Sequence, residues 1–328
     1  MPLGIQSADK MAKKSFYLTS ISMASLYVFS QIAGLFFSIP FKDMNIHSFS
    51  NPNSVWNSIF YIAILLIVTG IMLLTAKFKM ERFIKYFIII GLALSILFVL
   101  YPFLLFYYPY VYSFPIGFPV DLDFIISTII TVFLMSLLVL YPEWYVLDVV
   151  GFVAASGMIA ILGISFGILP AFILLVALAI YDAISVYKTK HMIALAGIVS
   201  DLKVPAMVIV PKESSYSYMD DNKPLKDKLD SHEERESLLM GLGDIVIPGI
   251  MAVSAFSFLP TTSIYLYIPS NLWVAIITII GSVTGFSILM LVSRSGNPQA
   301  GLPFLNGGAI SAFLISMLLF YHTFTYLI

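Results

Sequence analysis

The chain has 328 residues, of which 60% are hydrophobic and only 11% charged, with a mean hydropathy of +0.97 and a net charge of −1. That excludes an ordinary soluble domain and points to an all-α polytopic membrane protein. The near-zero charge gives no field for nucleic acid, and the absence of cysteine excludes disulfides, thiol nucleophiles and Cys-ligated metals.

A helix needs roughly 20 apolar residues to cross the hydrocarbon core. Nine such stretches are predicted in chain order, at about 16–40, 58–76, 83–108, 123–141, 145–166, 168–187, 238–260, 270–292 and 304–326. The first runs from near Phe16 to Pro40, too long for the apolar region of a cleavable signal peptide. Turn residues or charges bound the spans: Lys77 and Lys79, Pro109, Pro142, Leu169-Pro170, Pro260 and Arg294. With the N-terminus inside, every one of the 17 Lys and Arg residues except Lys42 falls on the cytoplasmic side. Nine transmembrane helices with a cytoplasmic N-terminus and an outside C-terminus are therefore expected.

This divides the chain into residues 1–187 with spans one to six, a cytoplasmic loop over 188–237, and residues 238–328 with spans seven to nine. Within the loop, His191 to Asp201 is predicted as an interfacial helix. The β-branched run Lys203–Pro211 reads as a short strand, and Lys212 to Glu236 is charged and expected to be mobile.

Two aspartates sit inside apolar segments: Asp182 in Leu178-Ala179-Ile180-Tyr181-Asp182-Ala183-Ile184, and Asp244 in Met240-Gly241-Leu242-Gly243-Asp244-Ile245-Val246. A carboxyl group in the membrane costs several kcal/mol unless neutralised or solvated, so each is a functional candidate. The spans that carry them are antiparallel, and both residues lie roughly 9–11 Å below the same cytoplasmic surface at 1.5 Å per helical residue. Two carboxyls a few Å apart cannot both ionise cheaply, so they share one proton and titrate as a unit. That state suits hydrolysis, in which one member takes a proton from attacking water while the other donates to the developing oxyanion. The same pair also suits a proton- or cation-coupled transporter or leak channel, or two carboxyls capped by neighbouring hydroxyls. Gly241 and Gly243 remove side chains beside Asp244 and open it to another backbone, at about 1 kcal/mol of helix propensity each. Tyr181 sets a phenol beside Asp182.

Tyr181-Asp182 and Gly241-Leu242-Gly243-Asp244 resemble the YD and GxGD motifs of the presenilin/signal peptide peptidase family of intramembrane aspartyl proteases. The family's Pro-Ala-Leu motif before the last span has its counterpart in Ala300-Gly301-Leu302-Pro303, where Ala300 replaces the proline and Gly301 the alanine. The resemblance extends to nine spans, the long loop between the sixth and seventh, and the third motif at the ninth. The inferred orientation resembles that of presenilin and is opposite to that of signal peptide peptidase. The resemblance implies a nine-span aspartic endopeptidase with Asp182 and Asp244 as its dyad, Ala300, Gly301, Leu302 and Pro303 helping to hold substrate, and water as nucleophile. No cofactor or metal is implied. The partners implied are transmembrane protein substrates and the lipid bilayer, with no obligatory accessory subunit, a homo-oligomer left open, and the cell membrane of a microbe as location. An unwound substrate needs new backbone partners in low dielectric, and the run Val204–Val210 or the Gly301–Leu302 backbone is expected to supply them.

Other candidates have plainer readings. Asp148, about one turn into the fifth span, is read as structural or interfacial. Asp121 and Asp123 are expected to be solvated at the outer start of the fourth span. His232-Glu233-Glu234-Arg235-Glu236 lacks the second histidine of a zinc-protease helix, and Ser156-Gly157 lacks the context of a rhomboid serine. Gly163-x-x-x-Gly167 and Gly281-x-x-x-Gly285 are read as close helix packing, and Pro248 as a kink one turn beyond Asp244. A prepilin-type peptidase also carries GxGD, but the YD motif on the preceding span and the third motif argue against it.

Overall fold

A computed structural model of the protein describes residues 3–78, 80–108, 111–113, 119–189, 207–213, 216–220, 237–293 and 299–327. Among the described residues nine α-helices follow one another: α1 Leu3–Asp43, α2 Trp56–Lys77, α3 Glu81–Tyr107, α4 Leu122–Leu140, α5 Trp144–Ser165, α6 Ile168–Ala183, α7 Leu242–Phe258, α8 Ser270–Ser293 and α9 Leu302–Tyr321. Among the described residues, eight rods are long and apolar enough to cross a membrane, the sixth being α6 together with the π turn that continues it to Lys188, and α7 is a shorter apolar helix. The described residues also form three two-stranded antiparallel ribbons: β1 Val111–Ser113 with β2 Pro119–Asp121, β3 Met207–Pro211 with β4 Ser237–Gly241, and β5 Ile264–Tyr265 with β6 Ile268–Pro269.

The seventh predicted span needs correction. Its first residues, read as helix over 238–260, form β4, and the helix starts only at Leu242. Leu238-Leu239-Met240 is too short an apolar run for its periodicity to decide between strand and helix. Pairing with β3 decides it, with Val208 opposite Met240 and Ile209 opposite Leu239. The expected interfacial helix at 191–201, the start of the predicted strand at 203–206 and most of the polar stretch, 221–236, lie outside the described residues.

Packing follows residue size. In lipid there is no hydrophobic gain from joining two helices, so small side chains that allow close approach decide which faces meet. The middle of α5 carries Ala154, Ala155, Ser156, Gly157, Ala160 and Gly163, all buried. Two-thirds of its spanning window is buried (67%), against none of that of α2, so α5 is the central rod and α2 a peripheral one. A Cβ on Gly157 would collide with Val99 of α3, and one on Gly163 with Val253 of α7. Gly281 and Gly285 of α8 meet the α9 backbone at Gly308 and at Phe304–Leu305, as their spacing predicts. Gly167 does not serve a helix pair: it ends the α5–α6 turn against Asn53 and donates its N–H to the Pro52 carbonyl at 2.8 Å.

Asp123 is buried (2% exposed) rather than solvated, and Asp121 accepts the Tyr101 hydroxyl at 2.6 Å. Glu143, just before α5, is also buried; it accepts the Ser217 hydroxyl at 2.7 Å and the Tyr218 N–H at 3.0 Å. Burial pushes its carboxyl up, but those two donors and the N–H groups of Trp144 and Met219 outweigh that and leave it below the usual carboxylate range. A carboxylate with a depressed pKa stabilises the fold above its ordinary value, and that contribution is lost as pH falls through the folded one. Acidification through the carboxylate range should therefore release the Tyr216–Asp220 segment, and Glu143→Gln should be released already at neutral pH. Limited proteolysis against pH checks both; a pattern identical to wild type in the variant contradicts them.

Candidate active site

Asp182 lies in the last turn of α6 and is buried (6% exposed). Its Oδ2 accepts the N–H of Leu302 at 3.0 Å, and the Gly301 N–H is directed at the same carboxylate. These groups belong to the start of α9, where backbone donors have no acceptor inside the helix. A helix N-terminus also carries partial positive charge, so a carboxylate is its natural partner. Pro303 follows in the first turn of α9, where its missing N–H costs nothing.

Asp244 occupies the first turn of α7, whose N-cap is Gly241. Its carboxylate turns back to the Gly241 N–H, the reciprocal half of a capping box. A Cβ on Gly241 would lie 3.5 Å from Asp244 Oδ2, so a side chain there would crowd the carboxyl. Asp244 is half-buried, and Gly243 beside it is exposed.

Gly301 joins the two. Its N–H faces Asp182, and a Cβ built on it would lie 3.4 Å from both Cγ and Oδ2 of Asp244. One residue of the third motif thus borders both carboxyls, which are near enough to interact electrostatically. The site is assembled at the starts of two helices and the end of a third.

The other predicted residues fall around this centre. Ala300 and Leu302 are buried, Pro303 is half-buried, and Tyr181 is half-buried beside Asp182. Leu242 is buried in the core, within reach of Gly151 on α5. The sequence predicts close backbone approach at both motif glycines, yet no described neighbouring atom comes within 4 Å of a Cβ built on Gly243. The approach is made by Gly301 instead. Among the described residues no group of three or more His, Asp or Glu forms a metal-ligand set.

Tyr187 is a site residue that the sequence does not single out. After Asp182 the helix widens into a π turn over Ile184–Lys188, a deformation often found at functional sites. The Tyr187 hydroxyl accepts the Ala300 N–H at 3.2 Å and donates to Gln299 Oε1 at 2.8 Å. It ties the segment before α9 to the helix that carries Asp182. Tyr187→Phe should lower kcat about three- to tenfold, the value of one neutral hydrogen bond, with no loss of thermal stability beyond a few degrees; steady-state kinetics and a melting curve in detergent check this.

Pro248 has a specific backbone effect. An ordinary residue there would donate its N–H to the carbonyl of Asp244, four residues earlier; proline cannot. The peptide group of Asp244 is thereby released from the helical ladder. Pro248→Ala should restore that bond, raise the melting temperature and lower kcat about fivefold. Unchanged kcat would show that the loosened turn has no part in turnover.

A family model described as signal-peptide peptidase, presenilin aspartyl protease matches residues 24–322. Two solved structures in different space groups, each of a presenilin family intramembrane aspartate protease, are similar throughout. One is 31% identical with a TM-score of 0.62, covering 92% of this chain and 99% of the other. The second is 32% identical with a TM-score of 0.61, covering 91% and 97%. No curated protein gives a match. Neither the family nor these structures support a transporter. The chain belongs to the signal-peptide peptidase and presenilin family and is an intramembrane aspartic protease.

Proposed function

We propose that Asp182 and Asp244 are the catalytic dyad of this protease, holding one proton and one water between them. The observation that carries this is Gly301, whose backbone borders both carboxyls. The ionised member takes a proton from water as its oxygen attacks the scissile carbonyl; the protonated member donates to the carbonyl oxygen. The tetrahedral intermediate then collapses: the leaving amine takes the proton that came from water, and the hydroxyl formed from the carbonyl oxygen returns its proton to the aspartate that donated it, so the pair again holds one proton. The Leu302 and Gly301 N–H groups hold the Asp182 carboxyl and the Gly241 N–H holds that of Asp244, so both are positioned ahead of the step.

The backbone of an unwound transmembrane substrate would pair with the outer edge of β4. The strand predicted over Val204–Val210 supports that edge instead of offering its own. Its described part, in β3, is paired with β4 on one edge, and on the other the N–H of Ile209 is taken by Asp148. Among the described residues nothing pairs with the far edge of β4, which leads straight to Asp244.

The orientation we propose puts the N-terminus and residues 188–237 in the cytoplasm, on the distribution of Lys and Arg. The loop is its own segment between spans one to six and spans seven to nine. The enzyme works in the cell membrane of a microbe without an obligatory accessory subunit. The test is cleavage of a helical reporter substrate by the purified chain in detergent, with Asp182→Asn and Asp244→Asn alongside. Cleavage surviving in either variant rejects the dyad.

A further inference from the structure

Asp148 is buried on α5 (6% exposed), and its Oδ1 accepts the N–H of Ile209 at 2.8 Å. Ile209 is the central residue of β3 and is fully buried. In an antiparallel pair, N–H groups point alternately toward the partner strand and away from it. The Ile209 N–H points away from β4, so Asp148 caps the edge of the ribbon that β4 leaves open. One turn further along α5, a Cβ on Gly151 would lie 3.2 Å from Leu242 Cδ2 and 3.9 Å from Val208 Cγ2. Asp148 and Gly151 therefore share a helix face, and that face meets β3 and the first residue of α7. At the start of the same helix, Glu143 holds the chain just beyond β3 through Ser217 and Tyr218.

We infer that α5 is the positioning element for Asp244, with Asp148 as its key contact. The path is short and contiguous. Asp148 fixes β3; β3 fixes β4 in register, with Met207 opposite Gly241; and Gly241 caps α7 and donates its N–H to the Asp244 carboxyl. Gly151 fixes the same path from the side, by leaving room for Leu242 two residues before Asp244. Asp148 touches no reacting atom. It is a positioning residue that acts through an accepted hydrogen bond and needs no proton transfer of its own. The inference rests on the reading of Asp244 as catalytic.

The test compares Asp148→Asn, Asp148→Leu and Gly151→Ala in the reporter cleavage assay, with amide hydrogen exchange at Ile209 read on the same samples. Asparagine keeps an oxygen able to accept the Ile209 N–H; leucine fills the space without one. Asp148→Asn should stay within about threefold of wild-type kcat, whereas Asp148→Leu should lose about thirtyfold in kcat with KM changed less than threefold, because a buried N–H is left unpaired. Ile209 exchange should be accelerated in the leucine variant and near wild type in the asparagine one. Gly151→Ala, which keeps every hydrogen bond and adds one methyl against a side-chain tip, should lower kcat about two- to fivefold and covers the case in which Asp148→Leu does not fold. Wild-type kcat or unchanged Ile209 exchange in Asp148→Leu would overturn the inference. So would an Asp148→Asn variant as inactive as the leucine one with Ile209 still protected, since that would show that the charge or proton of Asp148 matters. Cleavage surviving in Asp182→Asn or Asp244→Asn would instead overturn the dyad, a separate result from any of these.

Discussion

Asp182→Asn, Asp244→Asn and the double substitution should all be inactive to the same degree, with kcat down on the order of 10³–10⁴-fold. The equality is the informative part. Independent contributions would multiply, so the double variant would be far worse than either single one. A pair that shares one proton and one water has no function left once either member cannot take or give a proton. The amides retain the shape of the carboxyls, and the amide oxygen introduced by Asp182→Asn can still accept the Leu302 N–H, so the fold should hold. Melting curves in detergent should show the three variants within a few degrees of wild type. Measurable additivity, with the double variant a further tenfold or more below the singles, would mean that the carboxyls act apart.

Gly285→Ala should be the most damaging single-methyl change outside the dyad. The added Cβ would fall on the carbonyl of Phe304, within 2.8 Å of its carbon and 3.2 Å from Leu305 Cα. Backbone cannot rotate away as a side-chain tip can, so α8 and α9 must separate. Overpacking of this kind typically costs about 1–3 kcal/mol. Phe304 is two residues beyond Leu302, whose N–H holds Asp182. The displacement therefore reaches the site directly, and kcat should fall at least tenfold together with thermal stability. Gly91→Ala, on a helix position with no described neighbour within 4 Å, is the matched control and should leave kcat unchanged while raising thermal stability slightly, since alanine is the better helix former.

Much of this is legible in the sequence because the membrane makes polar residues conspicuous. Asp182 and Asp244 stand out against apolar runs, and the spacing of Gly281 and Gly285 announces a close contact that the α8–α9 pair makes. The seventh span is harder: a short apolar run is consistent with helix or strand, and its partner β3 lies across a long stretch of chain. Asp148 and Asp123 read as interfacial or solvated because one carboxylate near a span end looks like another. The hydrogen-bond partner of buried Asp148 is the N–H of Ile209, 61 residues away. Tyr187 is one of 19 tyrosines, and only the π turn aims it at Ala300.

The carboxyls belong to different rods, Asp182 to the end of α6 and Asp244 to the beginning of α7, with Gly301 at the tip of a third. Their spacing is thus set by how far these rods slide and tilt past one another. Tilt answers to hydrophobic mismatch at fractions of a kcal/mol per Å of bilayer thickness. Acyl-chain length therefore becomes a control on turnover, acting through geometry rather than through any bound effector, with an optimum at the thickness that matches the apolar belt.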